Sequence, residues 1–444
     1  MLYKDRDFGI VPPASPSDIF ITPMPPVTPA QLFSLIFFAA LVLSLSLRLW
    51  LGLRQMSHVS SRRSAVPTEF SERVTLADHQ KAADYTCAKT RLGLLETVIG
   101  SGVLMAFTFG GVFQACADVA ERFFDQDSYS FGLALFALAG VIGFVIDLPF
   151  SLYRTFKLEA RFGFNKMTPA LFIADLFKQL LLTILIGGPV LLAVLWLMAG
   201  MGERWWFYVW LFFMGFNLLV LLLYPTVIAP LFNKFSPLQD DSLKARIEAL
   251  LARCGFAAKG LFVMDGSKRS AHGNAYFTGI GRNKRIVFFD TLLDKLSPEE
   301  VEAVLAHELG HFKHKHVVKR IAMMAGLSLA FLWLLAQLME TNWFYQGLGV
   351  TVTGTAMALL LFSQVMGVFT FPFSPLFSAL SRKHEYEADT YAAKQSDADA
   401  LVTALVKLYK DNAATLTPDP LHSMFYDSHP PASLRIAHLK EIAP

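Results

Sequence analysis

Seven apolar segments, each long enough to cross a bilayer, constrain the fold of this chain more than any other feature. They lie at about 30 to 53, 93 to 117, 131 to 150, 179 to 200, 206 to 231, 320 to 339 and 350 to 371, against a need of roughly 20 residues per crossing. Hydrocarbon offers no partner to a backbone N–H or C=O, so each segment is predicted to be a helix that satisfies its own. With 54% hydrophobic and 17% charged residues and a mean hydropathy of +0.44, the chain reads as a polytopic membrane protein, not a soluble enzyme. A net charge of +3 is too small to suggest a nucleic-acid partner. Cys87, Cys116 and Cys254 have no ligand spacing and an odd count, which predicts free thiols. The first 29 residues are proline-rich and lack a cationic start followed by an apolar core, so they do not read as a cleavable signal.

Charge in the connections sets the orientation. Seven Lys or Arg residues, from Arg54 to Arg91, separate the first two segments, and five, from Arg154 to Lys178, separate the third and fourth. The alternate connections hold only Arg122, only Arg204, and none between Met339 and Val350. The positive-inside bias therefore puts the amino terminus outside and the carboxyl terminus in the cytosol. The long connection from about 232 to 319 is then cytosolic, and it alone has soluble-domain character. Leu243, Ile247, Leu250 and Leu251 form the apolar face of a helix stopped near Gly255. Leu261 to Met264, Ala275 to Thr278 and Arg285 to Phe289 read as strands, the last two joined by a turn at Gly281-Arg282-Asn283-Lys284.

After the last strand comes His307-Glu308-Leu309-Gly310-His311. Ser297-Pro298-Glu299-Glu300 is a capping box with proline at the first helical position, and Val301, Val304, Leu305 and Leu309 follow at helical spacing. On a helix, histidines four apart share a face and can bind one zinc ion from the same side. Glu308 stands beside them, placed to take a proton from the attacking water of a metallopeptidase. If this helix ran unbroken into the sixth segment, the metal would lie ~20 Å or less from the hydrocarbon. Two histidines leave zinc under-coordinated. His314 is near in sequence, but the metzincin spacing fails because Val317 stands where a third histidine is needed. The favoured third ligand is Glu385, in Arg382-Lys383-His384-Glu385-Tyr386-Glu387-Ala388-Asp389, with Glu387 as second choice. Two crossings return Glu385 to the side of His311. Asp389 follows one turn later, where it can accept the free N–H of a ligand imidazole. Glu96, Asp118, Asp147 and Asp175 sit in or near the apolar segments, where ionisable groups face a wet interior or a partner, or reach the interface.

The zinc motif, the Glu385 to Asp389 stretch and seven crossings together resemble the type I CAAX prenyl protease family of integral-membrane zinc metalloproteases. Further stretches carry the resemblance: Arg54-Gln55 with His58-Val59, Leu148-Pro149-Phe150-Ser151 with Thr155-Phe156, and Gly163-Phe164-Asn165-Lys166. Pro230 to Phe235, Ser267 to Ser270 with Asn274-Ala275-Tyr276, and His429-Pro430-Pro431 complete it, so that it spans about residues 30 to 440. It implies a mainly α membrane protein in which seven helices enclose a chamber, with a small cytosolic α+β zincin-like domain at one end. It implies removal of the carboxyl-terminal aaX tripeptide from a prenylated CaaX peptide or protein. By the family pattern His307, His311 and Glu385 hold one zinc ion per chain and Glu308 is the base, while Asn274 and His429 contact substrate or transition state and Arg435 helps anchor the substrate tail. The expected parts are an extracytosolic segment 1 to 29, five membrane helices over 30 to 231 and a cytosolic domain 232 to 319. Two further membrane helices over 320 to 371 and a cytosolic part 372 to 444 follow. The compact chain looks like a bacterial member, to be placed in the inner membrane; a eukaryotic one belongs in the endoplasmic reticulum membrane. Two other functions fit less well. A quality-control protease for misfolded membrane proteins shares the zinc site with fewer crossings, and a transporter or lipid-binding channel has no use for Glu308.

Overall fold

The computed structural model describes residues 26–257, 260–278 and 285–442; most of the amino-terminal segment and the expected turn at 281 to 284 lie outside them. Local sequence starts each early membrane helix. Thr28 and Gln31 form a capping box ahead of Pro29, and Thr75, Ser128 and Thr168 each accept a backbone N–H at the next helix starts. Among the described residues seven helices are long and apolar enough to cross a membrane: Pro29–Ser61, Leu76–Phe107, Tyr129–Glu159, Pro169–Gly200, Gly202–Phe232, His316–Met339 and Thr355–Gln395.

Two boundaries differ from the hydropathy reading. The second helix ends at Phe107 and a separate short helix covers Val112–Glu121, where one crossing over 93 to 117 was expected. Apolarity continues across the join, but the backbone does not: the chain leaves the helix at Thr108, and left-handed Gly111 (φ 75°) starts the short one. The start also moves back, to the Thr75 cap. The seventh helix begins at Thr355; Val350 and Val352, although buried, lie in non-helical chain ahead of it. It then runs past 371, through a short 3-10 turn at Phe371–Phe373, into Ser374–Gln395. Likewise the metal helix does not run unbroken into the sixth crossing. It stops at Lys313, and Lys315 takes a left-handed conformation (φ 56°) before the sixth helix starts at His316.

Between the fifth and sixth membrane helices lie β1 (Phe235–Pro237), α1 (Asp241–Arg253), β2 (Gly260–Met264), β3 (Ala275–Thr278), β4 (Arg285–Phe289) and α2 (Pro298–Lys313). The sheet order is β1-β2-β4-β3, with β2 and β4 parallel and the outer pairs antiparallel. β1 was not expected from the sequence; three residues carry no readable alternation. After the seventh membrane helix come α3 (Ala398–Asp411), α4 (Pro420–Tyr426) and α5 (Ala432–Ile442). Ile247 and Leu250 of α1, Ile286 and Phe288 of β4, Leu305 and Leu309 of α2, Leu405 of α3 and Leu439 of α5 share one core. Each such buried side chain contributes about 1.5–3 kcal/mol, so the carboxyl-terminal helices belong to the same folded unit as the sheet.

Polar residues pin this unit to the membrane helices. Asp419, fully buried, is bonded by Arg54 of the first membrane helix, and its N–H donates to Gln55 Oε1 at 2.7 Å. Arg269 grips Asp175 of the fourth with Nε and Nη2 at 2.8 and 3.0 Å. Asp175 is thus ion-paired, while Asp118 is exposed and accepts from Gln114. Glu96, paired with Arg154 at 2.6 Å, and Asp147 line a cavity of about 840 Å³ between the second, third and seventh helices.

Candidate metal centre

Helix α2 starts on the Ser297 capping box, with Ser297 N–H donating to Glu300 at 2.7 Å. Its apolar side, Val301, Leu305 and Leu309, packs into the core, which leaves His307 and His311 on the opposite side, facing the seventh membrane helix. At Gly310 the two helices meet backbone to backbone: a Cβ there would lie 2.8 Å from Ala388 Cα. Only glycine allows that approach, and it brings Glu385 opposite both histidines.

The ligand atoms form a near-regular figure. His307 Nε2 and His311 Nε2 are 3.2 Å apart, and each lies 3.4 Å from its own Glu385 carboxylate oxygen. Glu385 Oε2 is buried and accepts no hydrogen bond, although Arg435 Nη1 stands 3.5 Å away. A folded protein rarely buries an unsatisfied carboxylate oxygen, so the donor set fits a cation. Asp389 Oδ1 lies 2.8 Å from His307 Nδ1, so that the imidazole turns its other nitrogen to the cluster. Glu387 is not in this set, and neither is His314.

Arg435 is almost wholly buried; Nε and Nη2 donate to Asp389 at 2.8 and 2.6 Å. Burial opposes its charge, but Asp389 outweighs burial and holds the guanidinium more firmly protonated than usual. His429, from the loop before α5, puts Nε2 3.5 Å from Glu385 Oε1, with its side chain still largely exposed. Burial also lowers His307, but the neighbouring carboxylates of Asp389 and Glu385 outweigh it and raise it to about 9. His311, desolvated and beside His307, is pushed down to about 3. Desolvation raises Glu308 above the usual carboxyl range, a direction that suits a group taking and returning a proton near neutrality.

His307, Glu308, Glu385, His429, Arg435 and Asn274 line one cavity of about 310 Å³. Asn274 immediately precedes β3, the sheet's edge strand, which among the described residues pairs only with β4. Every site residue expected from the sequence is therefore in or against this cavity. Three neighbours were not expected. His316 Nδ1 lies 2.9 Å from His311 Nδ1, His384 stacks on His316 with centroids 4.0 Å apart, and Asn412 Oδ1 accepts the N–H of Gly273 beside Asn274. His316 stands five residues after His311, a spacing no helix periodicity recommends.

The fold and site together define a multi-pass integral-membrane metalloendopeptidase that acts on a peptide or protein. Residues 55–234 match the family described as CAAX prenyl protease N-terminal, five membrane helices, and residues 237–443 match Peptidase family M48. Among similar proteins, CAAX prenyl protease 1 homolog of Oryza sativa subsp. japonica is 40% identical over 68% of this chain and 72% of its own. CAAX prenyl protease 1 of Saccharomyces cerevisiae is 32% identical over 89% and 92%, and the Homo sapiens homolog 32% over 91% and 95%. The crystal structure of S. mikatae Ste24p superposes with a TM-score of 0.86 at 31% identity, over 92% of this chain and 99% of that one. The chain belongs to Peptidase family M48, in its CAAX prenyl protease 1 branch.

Proposed function

We propose that the chain is a zinc endopeptidase that removes the aaX tripeptide from prenylated CaaX substrates. The observation that carries this reading is the triangle of His307, His311 and Glu385 at 3.2 to 3.4 Å, beside Glu308 in one cavity. Three ligands about 2.0–2.1 Å from a tetrahedral zinc stand about 3.3 Å apart, and the nearest approaches between the three residues, 3.2 and 3.4 Å, are of that size. When bound, zinc supplies Lewis acidity toward the scissile carbonyl and acidifies water. Glu308 takes the proton of the attacking water and passes it to the leaving amine. Asp389 fixes the tautomer of His307. His429 and Nη1 of Arg435, the nitrogen not bonded to Asp389, stabilise negative charge developing on the carbonyl oxygen, and Asn274, at the start of edge strand β3, positions an extended peptide. Arg435 reaches the substrate only through Nη1, since its other nitrogens are held by Asp389.

The name of the relatives supports a prenylated substrate, and a larger cavity opens beside the site. A second cavity of about 560 Å³ shares His429 and Arg435 with the first and is walled by Gln55 of the first membrane helix and Tyr85 and Lys89 of the second. Burying a lipid chain is favourable by ~0.8 kcal/mol per CH₂. Two or more such groups held in the transition state suffice for a tenfold gain, which needs ~1.4 kcal/mol. In detergent, kcat/KM for a farnesylated CaaX peptide is expected to exceed that for its unprenylated twin by at least about tenfold. Equal values at matched free concentrations would favour a quality-control protease instead.

The loop charges support an extracytosolic amino terminus and a cytosolic site. In a variant lacking Cys87, Cys116 and Cys254, sealed vesicles with the cytosolic face outward should label Lys244→Cys with an impermeant thiol reagent. Gln346→Cys should react only after permeabilisation; the reverse pattern would invert the topology. The eukaryotic sources of the relatives above favour the endoplasmic reticulum membrane over a bacterial inner membrane. The divisions at 231 and 319 mark where the chain leaves and re-enters the membrane, and 371 is a change of surroundings along the seventh helix, whose continuation joins the same folded unit as residues 232 to 319.

A further inference from the structure

His307 and His311 are held differently from behind. His307 turns its outer nitrogen to a carboxylate, Asp389, at 2.8 Å. Among the described residues His311 Nδ1 meets no carboxylate; it faces His316 Nδ1 at 2.9 Å, and His316 Nε2 in turn faces Glu387 Oε2 at 2.8 Å. Two ring nitrogens at that distance need one proton between them. His311 must keep Nε2 bare to serve as a ligand, so its proton is on Nδ1 and it donates. His316 Nδ1 then accepts, the His316 proton is on Nε2, and Nε2 donates to Glu387. Each proton along the chain has one possible place.

Packing fixes the same arrangement. His316 is 1% exposed, and His384 stacks on its ring at 4.0 Å with the planes 14° apart. In an unbroken helix a residue five positions on stands about 140° around the axis and cannot reach. The left-handed Lys315 folds the chain so that His316 returns beside His311. Glu385 and Glu387 lie on one helix, which supplies a ligand to the metal and a support to the opposite ligand. His316, His384 and Glu387 could by themselves hold a second cation. Both nitrogens of His316 are already engaged, however, and Lys319 and Lys383 lie 4.0 Å from Glu387, which opposes a second positive ion.

We propose that His316 and Glu387 are positioning residues that set the tautomer and aim of His311 through a Glu387–His316–His311 hydrogen-bond chain, and so tighten metal binding. This rests on reading His307, His311 and Glu385 as the ligands. Outer partners of ligand histidines typically change metal affinity 10- to 100-fold.

The test is zinc affinity of the purified full chain in detergent, by competition with a chromogenic chelator, together with zinc stoichiometry. His316→Phe keeps the stack on His384 and removes both hydrogen bonds; Glu387→Ala removes the far end. Both should weaken zinc binding by about 10- to 100-fold, and the double variant should be no worse than His316→Phe. His316→Gln, whose amide can accept from His311 and donate to Glu387, should stay within about threefold of wild type, a rescue that mere filling of space does not predict. Wild-type affinity in His316→Phe, with loss of zinc in His307→Ala, overturns the chain and leaves the ligands standing. Wild-type affinity in both overturns the ligand assignment and the chain with it. Two zinc ions per chain, one lost in His316→Phe, would make the cluster a second metal site instead.

Discussion

The Glu308→Gln protein is expected to keep its metal and to lose at least about a thousandfold in kcat/KM. A positioned general base contributes about 10²–10⁴-fold, and a thousandfold loss corresponds to ~4 kcal/mol of transition-state stabilisation. The substitution keeps the shape of the side chain and touches none of the three ligand residues, whose facing atoms approach to 3.2 to 3.4 Å. It also replaces a carboxyl whose charge burial already disfavours, so thermal stability should not fall. Peptidase assays and metal analysis on one preparation check it. Full activity would remove Glu308 from the mechanism, and loss of metal would move it into the ligand set.

The second large effect is on metal binding. Glu385→Ala removes both oxygens of the triangle and leaves two histidines, too few for zinc; affinity is expected to fall at least about a thousandfold, beyond the 10- to 100-fold of an outer partner. Glu387→Ala serves as the comparison from the same helix, two residues away. Isothermal or chelator-competition titration of the two variants orders them, and a larger loss in Glu387→Ala would exchange their roles. The outcome separates two carboxylates that sequence alone could only rank.

That ranking shows what could be read from the chain. The His307 and His311 pair was legible because helix periodicity and the Ser297 cap are local. Glu385 was legible because two crossings return the chain to the same side, a count that needs no coordinates. Asp389 followed from one turn of helix. The stops were less legible. Hydropathy runs through Gly110-Gly111 and through Val350 to Gly354, yet the first is a break and the second is non-helical chain that buries only Val350 and Val352. Neither property depends on how apolar the residues are. The left-handed turn at Lys315 gives no compositional sign, so the partnership of His316 with His311 was invisible. Arg435 was expected to meet the substrate; its burial against Asp389 is a tertiary fact, set by α5 packing into the core beneath the site.

One measurement bears most directly on the account: the mass of the fragment that the purified, zinc-loaded protein releases from a farnesylated CaaX peptide. The account predicts the aaX tripeptide as the only short product, abolished by a chelator and restored by added zinc. Cleavage elsewhere in the peptide, or tripeptide release that survives removal of the metal, would contradict it.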